Sequence, residues 1–460
     1  MEKNRRQQSL YHTLVDGLRT DQQRLLMSQQ DMLLLCSQPI ERPFMTLTHS
    51  GTPEDFVPTS QSELSRFLSD NATSARKQTF PVGGRTSLAV CCPDSHSGPL
   101  ICTSQLNRVV DYPVRDMTIT VEAGMRLDQL NEILSAEGQR LPIDVPQSNR
   151  ATIGGVIATN TSGPRRFSYG TIRDYVIGVS AVDGVGNLFK SGGRVVKNVA
   201  GYDLGKMLIG SLGTLSVISQ VSLNLRPRPE CMQLVWFDFD SCQSVDQALE
   251  AIVTSGTRPT AVEYCNSKAA RQITAESRID LPNENHAVCI CYEGPENVVK
   301  WQAQQIINEW RAFSSLDAQI IEGAQASQLY NALTEYQTSS DDPVTLKAVV
   351  LPSQMMSFIE TATSLNIAVQ AHAADGIVFG HLPDSASSLE NVNQILEQLQ
   401  SVIDPGTGYL TIYQCESDWA ESLPLFCSLP AGWELMQQLK QALDPLQLLN
   451  SRRFTELVKS

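Results

Sequence analysis

The chain has 460 residues, too many for one hydrophobic core, and its 42% hydrophobic and 18% charged content is that of a globular protein of two or three domains. With 35 lysines and arginines against 49 aspartates and glutamates, the formal charge is −14, which argues against a nucleic-acid or anionic-membrane surface. No apolar run approaches the roughly 20 residues that span a bilayer, and no apolar stretch follows the basic N-terminus, so a soluble cytoplasmic protein is expected.

Residues 1–38 place Leu10, Leu14, Leu18, Leu25, Leu26, Met32 and Leu33 at roughly helical spacing, and Pro39 and Pro43 close the segment. The span 1–45 therefore reads as an N-terminal helical extension that docks on the body or on a partner. Residues 60–68 open with a serine followed three positions later by Glu63, the capping-box sign of a helix start. FPVGG is a short strand running into glycines, and residues 117–122 form a clean strand. LDQLNEILSAEG is an amphipathic helix with Leu127, Leu130, Ile133 and Leu134 on one face and Gly138 at its end. Residues 176–182, 188–190 and 215–225 are further strands. RPRP (226–229) is a stiff break and marks the expected domain boundary.

Beyond that break, residues 234–239, 261–264, 287–292 and 345–351 read as strands, with helices such as 244–254 and 298–313 between them, a second α+β domain. A last helix ends at Asp444 and Pro445. The 11 cysteines include no CxxC pair, and the 6 histidines no HExxH, so buried reduced thiols and no metal are expected.

Three glycine-rich loops, each beside a strand, carry the chemical signal: PVGGRTSL (81–88), ATIGGVIATNTSG (151–163) and the GSLGT turn (210–214). Glycine admits positive φ and lets successive backbone amides approach an anion, so Gly83 and Gly84 with Thr86 and Ser87, and Gly154 and Gly155 with Thr152 and Thr159, suit a pyrophosphate without lysines. Any one such loop is as readily a tight turn. No GxGxxG lies between a strand and a helix, and the Walker pattern is absent. Three loops together imply a large cofactor held by main chain at several points.

The ordered series PVGGRTSL, VEAGMRLDQLNEIL, ATIGGVIATNTSGPRRFSYGTIRDYVIGVSAVDGVG and GGRVVKNVAGYDLGKMLIGSLGTLSVI resembles the p-cresol methylhydroxylase-type FAD-binding domain of the vanillyl-alcohol oxidase superfamily. Within it, KNVAGYDLGKMLIGSLGTL and the tail LKQALDPLQLLNSRRF look most like the glycolate oxidase flavin subunits, particularly the smaller E-type. The resemblance implies an α+β fold: a two-subdomain FAD-binding domain over 46–229, a cap and substrate domain over 230–430, and a segment, 431–460, that returns to the FAD domain. It implies that Val82, Gly83, Gly84, Arg85, Thr86 and Ser87 wrap the pyrophosphate. Thr152, Gly154, Gly155, Ala158, Thr159, Ser162 and Gly163 would line pyrophosphate and flavin, Tyr169 and Gly170 would close that loop, and Val217 and Ile218 would meet the adenosine end. Arg85 stands where the family usually has a third glycine. No histidine lies near this loop for covalent attachment, so non-covalent FAD is expected.

Oxidising a 2-hydroxy acid on a flavin needs a base for the hydroxyl proton and a cation for the carboxylate. The base candidates are His372, Asp375 and His381 in AHAADGIVFGHL, a strand–turn–strand that reads equally as an exposed hairpin. Lys197 and Tyr202 fall near the flavin by position in the motif, although Tyr202 can equally cap the next helix. The chain has Leu212 where larger relatives carry a glutamate in the GSxGT turn, and no evident cap histidine pair. Two roles follow: a flavin subunit working with a larger flavin subunit and an iron–sulfur subunit, or a self-sufficient dehydrogenase of a 2-hydroxy acid such as D-lactate or glycolate. An alcohol or sugar oxidase is the third. In the first two, with no cluster-type cysteines, electrons must leave to another acceptor.

Overall fold

The computed structural model describes residues 55–87, 98–193, 204–314, 318–338, 342–386, 388–404, 406–415, 419, 422–423, 432–451 and 453. The expected helix over 1–38 and the candidates Lys197 and Tyr202 lie outside these residues.

In chain order the first half contains β1 (Phe80–Val82), β2 (Leu100–Cys102), β3 (Val109–Asp111), β4 (Thr118–Glu122), β5 (Gln139–Arg140), β6 (Val176–Asp183), β7 (Leu188–Gly192), β8 (Ser216–Asn224) and β9 (Arg226–Pro227). β1 and β2 pair in parallel, while β3, β4, β8, β6 and β7 form a five-stranded antiparallel sheet in that spatial order. Alternation gives this sheet two buried faces. On one side Ala181, Ile218, Val221 and Leu223 pack on the helices Leu127–Ala136 and Ile153–Thr159. On the other side Val182 and Val217 meet Leu64 and Leu68 of the helix Gln61–Asp70. That helix starts at the expected serine, since Ser60 accepts from the Glu63 amide. The first two residues of the RPRP break form β9, paired with β5.

The second half adds β10 (Cys231–Phe239), β11 (Ala261–Cys265), β12 (His286–Gly294), β13 (Gln319–Glu322), β14 (Val344–Val349), β15 (Ala368–His372), β16 (Ile377–His381) and β17 (Tyr409–Cys415). They form one eight-stranded antiparallel sheet in the order β13, β10, β12, β11, β15, β16, β14, β17. One face is mainly apolar, with Val262, Tyr264, Val369, Ala371, Leu346 and Ala348 in the core. The opposite face starts apolar, with Ala261, Cys265 and Cys289 under the helices Ser267–Ser277 and Gly323–Glu335. It turns polar across β11 and β15, where Glu263, Gln370 and His372 lie on the same side. The α+β architecture is therefore the one expected. No helix among the described residues is long and apolar enough to cross a membrane.

Candidate cofactor and substrate site

The three glycine-rich segments converge on one open cleft of about 690 Å³. Of the expected cofactor residues, Val82, Gly83, Gly84, Arg85, Thr86, Ser87, Thr152, Gly154, Gly155, Ala158, Thr159, Val217 and Ile218 line it. Among the described residues, the backbone amides of Gly84, Arg85, Thr86 and Ser87 donate to no protein acceptor. Four successive unpaired amides beside the Thr86, Ser87 and Thr159 hydroxyls are a donor set suited to a diphosphate. A smaller cavity shares Thr86, Ser87 and Thr159 with the cleft and continues to Thr338 and Tyr413 of the second half. A cofactor with a phosphate middle and a planar end has lining residues of the right chemistry along that path, and this chain's residues fit FAD.

The glycine pairs of the first two loops serve a different purpose from the positive φ the sequence suggests. Neither Gly83 nor Gly84 has positive φ; the left-handed residue of the first loop is Arg85 at +58°, where a side chain costs about 1 kcal/mol, while in the third turn Gly210 at +80°, Leu212 at +53° and Gly213 at +68° all have positive φ. What excludes a Cβ is the second loop: at Gly83 it would sit 2.0 Å from Thr152 Oγ1, and at Gly84 1.8 Å from the Arg150 carbonyl oxygen. Gly154 and Gly155 likewise lie in the first turn of the short helix Ile153–Thr159, which Thr152 caps by accepting from the Gly155 amide at 3.4 Å. Gly154 lets that helix rest on Ala123.

Four expected residues stand off the cleft. Ser162 Oγ accepts from Arg166 Nη1 at 3.0 Å, and Gly163 allows Asp144 to approach. Tyr169 receives Arg140 at its hydroxyl (2.8 Å) and on its ring face, while Gly170, at φ +78°, ends the short helix Arg166–Tyr169. The lining also includes residues the sequence reading passed over, among them Thr103, Leu212, Gly213, Ser216 and Arg453.

In the cap, both histidines are buried rather than displayed on an exposed hairpin: His372 is 3% and His381 2% accessible. His372 Nδ1 is 2.7 Å from Glu263 Oε1, and Gln370 Nε2 donates to Glu263 Oε2 at 2.7 Å. Burial raises the Glu263 carboxyl above its ordinary range, although His372 and Gln370 both pull it back. His372 Nε2 is buried with no partner. His381 differs: Nε2 donates to the Tyr336 carbonyl at 3.0 Å, and Nδ1 faces Asp342 at 3.2 Å. The Asp375 amide donates to the His372 carbonyl, and the Asp375 carboxylate lies 3.6 Å from Arg166 Nε, too long for a hydrogen bond. Arg166 thus joins the second glycine segment, through Ser162, to the turn after His372. Glu263 was hidden from the sequence reading; its only local signal is one carboxylate in the otherwise uncharged strand AVEYC.

A buried ion cluster fastens the two halves around this site. Glu293 of β12 accepts from Arg140 Nη2 at 2.9 Å and Arg165 Nη2 at 2.7 Å, and Arg165 also pairs with Asp144 and covers the Tyr330 ring at 4.3 Å. Tyr330 in turn donates to Asp144 at 2.8 Å. Burial alone would raise Glu293, but Arg165 and Arg140 outweigh it and hold the carboxyl below its usual range. Elsewhere in the cap, Cys242 lies 3.7 Å from a His286 ring nitrogen, yet burial pushes its thiol up to about 11, so it is no nucleophile at neutral pH.

Comparison with known proteins agrees with this geometry. Residues 55–192 match the family described as FAD binding domain, and residues 228–389 with 428–454 match FAD linked oxidases, C-terminal domain. Glycolate oxidase subunit GlcD of Bacillus subtilis (strain 168) is 25% identical over 88% of this chain and 89% of its own length. Glycolate oxidase subunit GlcE of Escherichia coli (strain K12) is 39% identical over a shorter stretch, 26% of this chain and 35% of that one. A solved alkyldihydroxyacetonephosphate synthase shares the fold, with a TM-score of 0.61 at 18% identity over 86% of this chain and 75% of its own. The chain is an FAD-linked oxidoreductase, and it belongs to the superfamily of FAD-linked oxidases with a p-cresol methylhydroxylase-type FAD-binding domain.

Proposed function

We propose that this protein is the FAD-bearing subunit of a glycolate-oxidase-like dehydrogenase of small 2-hydroxy acids, passing electrons to a partner that includes a larger flavin subunit and an iron–sulfur subunit. The observation that supports the 2-hydroxy-acid chemistry, whichever subunit arrangement holds, is the buried His372–Glu263 pair with Nε2 left open. Held by the loops around Gly84–Ser87 and Thr152–Gly155, FAD would supply the acceptor for the hydride of the substrate's α-carbon. The side chains then divide the remaining work. Glu263 holds Nδ1–H, so that Nε2 of the neutral ring is the acceptor for the substrate's hydroxyl proton. Arg166, oriented by Asp375, is the cation for the carboxylate. His381 keeps the inner face of the sheet in place.

The subunit role is favoured by the stretch of likeness to GlcE. The intact His372–Glu263 pair favours a second reading, a dehydrogenase complete in itself. Anaerobic mixing with glycolate, D-lactate and longer 2-hydroxy acids, followed by visible flavin absorbance, separates them. Bleaching of the isolated chain supports the self-sufficient enzyme; bleaching only with its co-purifying subunits supports the subunit role. FAD that stays oxidised with every such acid in both preparations refutes both.

A further inference from the structure

The cap reaches across to the inner end of the cofactor cleft. The smaller cavity there takes Val145, Pro146 and Ala151 from the first half of the chain and Thr338 and Tyr413 from the second. Among the described residues, neither Val145 nor Pro146 makes a backbone–backbone hydrogen bond. Their position is set by the two ends of the stretch 144–147, and one cap helix, Gly323–Glu335, holds both ends. At the leading end Tyr330 donates to the Asp144 carboxylate at 2.8 Å. At the trailing end the Gln147 amide donates to both oxygens of Glu335, at 2.8 Å and 3.0 Å.

The two ends are not equally secure. Asp144 is gripped again by Arg165, through its guanidinium and through its amide at 2.7 Å. The Gln147 amide has no backbone acceptor among the described residues. Gln147 also sits at φ +51°, a left-handed conformation uncommon for a residue with a side chain, so its placement depends on what holds it. The rest of its turn is fastened elsewhere: the Leu127 and Asp128 amides donate to the Ala151 and Ser148 carbonyls at 3.0 Å and 3.1 Å. Burial raises the Glu335 carboxyl above its ordinary range, the Gln147 amide draws it back, and Glu276 adds a smaller push upward. The charge is disfavoured by its surroundings, and the bond to Gln147 is the compensating contact. Three residues on, Thr338 enters the cavity from the cap side and donates to the Glu335 carbonyl at 3.1 Å. Glu335 is therefore bonded to both walls, through its side chain to one and its backbone to the other.

We propose that Glu335 is a positioning residue for the flavin ring: from the cap it fixes the wall made by Val145 and Pro146, and so sets the slot that the ring enters. The proposal rests on the FAD assignment and holds whichever acid is oxidised. It is tested on the full chain stripped of flavin and titrated with FAD. The readouts are affinity and, at saturation, the visible absorption band, which reports the ring's surroundings. Glu335→Leu keeps the bulk and removes the acceptor. It is expected to weaken FAD roughly tenfold, the worth of one hydrogen bond, and to shift the saturated band toward that of free FAD. Glu335→Gln keeps one acceptor oxygen and is expected to restore the wild-type band and most of the affinity. A wild-type band in saturated Glu335→Leu overturns the proposal, because a merely structural contact would lower stability and leave the ring's surroundings alone. Equal losses in Glu335→Gln and Glu335→Leu overturn it as well. If Glu335→Leu does not fold, Glu335→Asp, one methylene short of the amide, decides: wild-type affinity with a wild-type band overturns the proposal. A wild-type chain that binds no FAD sinks the cofactor assignment itself, and the proposal with it.

Discussion

The sharpest test of the proposed chemistry is Glu263→Gln, which keeps the shape of the side chain and removes its charge. Both carboxylate oxygens are engaged, Oε1 with His372 Nδ1 and Oε2 with Gln370 Nε2, each at 2.7 Å. An amide presents one oxygen and one NH2, so one neighbour must meet a donor where it now meets an acceptor. Turning the NH2 toward Gln370 sets two donors together, and Gln370 cannot rotate away without losing its bond to the Leu333 carbonyl at 2.9 Å. Turning it toward His372 makes Nδ1 the acceptor and moves the ring proton to Nε2, the wrong tautomer for a base. A buried donor left unmatched costs about 1–3 kcal/mol, and a base of this kind contributes roughly 10²- to 10⁴-fold to rate. We therefore expect the midpoint of thermal unfolding to fall by a few degrees, FAD content to be unchanged because Glu263 does not line the cleft, and flavin reduction to slow by at least about a hundredfold. The assay is anaerobic rapid mixing with the best substrate, read at the visible flavin band. Reduction within threefold of wild type, at full FAD content, would remove His372 and Glu263 from the chemistry.

Three further outcomes follow from the same structure. Glu293→Gln breaks a buried pair at the junction of the two halves and should destabilise the protein by about 3–5 kcal/mol at neutral pH. Because Arg165 and Arg140 lower the folded-state pKa of Glu293, its contribution is full above the ordinary carboxyl value of 4.5 and is lost as pH falls through the lowered value. The gap in unfolding midpoint between wild type and variant should therefore close below that pH; a gap that widens on acidification contradicts the assignment. Arg85→Gly relieves a left-handed φ of +58° but gains glycine's unfolded-state entropy, so stability should change by no more than about 1 kcal/mol while FAD titration shows weaker binding. A large loss of stability would mean that Arg85 holds the fold. Gly84→Ala puts a methyl 1.8 Å from the Arg150 carbonyl, an overpacking cost of about 1–3 kcal/mol, and should displace the loop and lower FAD occupancy; normal occupancy would show that the two loops are free to part.

Local patterns made much of the fold legible. Leu127, Leu130 and Leu134 predict the face that the helix Leu127–Ala136 buries, and β4, β6, β8, β10 and β12 lie where runs of β-branched and apolar residues place them. Pairings that depend on distant residues were not legible. Glu263 meets His372 across 109 positions, a contact set by the register of β11 on β15, and Arg453 reaches Ser87 across 366. The glycine pairs show the same limit. Their presence was plain, but their cause is the pressure of Thr152 and Arg150 on the first loop, visible only once both loops are in place.

The acidic balance of the chain bears on this last point. A formal charge of −14 argues against extended polyanions, yet the proposed cofactor and substrate are themselves anions. The two facts are compatible because charges more than about 8 Å away are largely screened at physiological ionic strength. A small anion in a concave site responds to the groups that line it. Among the described residues those are Arg85, Arg453 and four unpaired amides, with no carboxylate. A flat polyanion would instead meet the whole acidic surface. The same separation accounts for Arg166, held loosely by Asp375 at 3.6 Å instead of in a tight pair, and so available to exchange one carboxylate for another. The site's preference for anions is local, made by folding distant cations and amides into one cleft, and for that reason no sum over the sequence reports it.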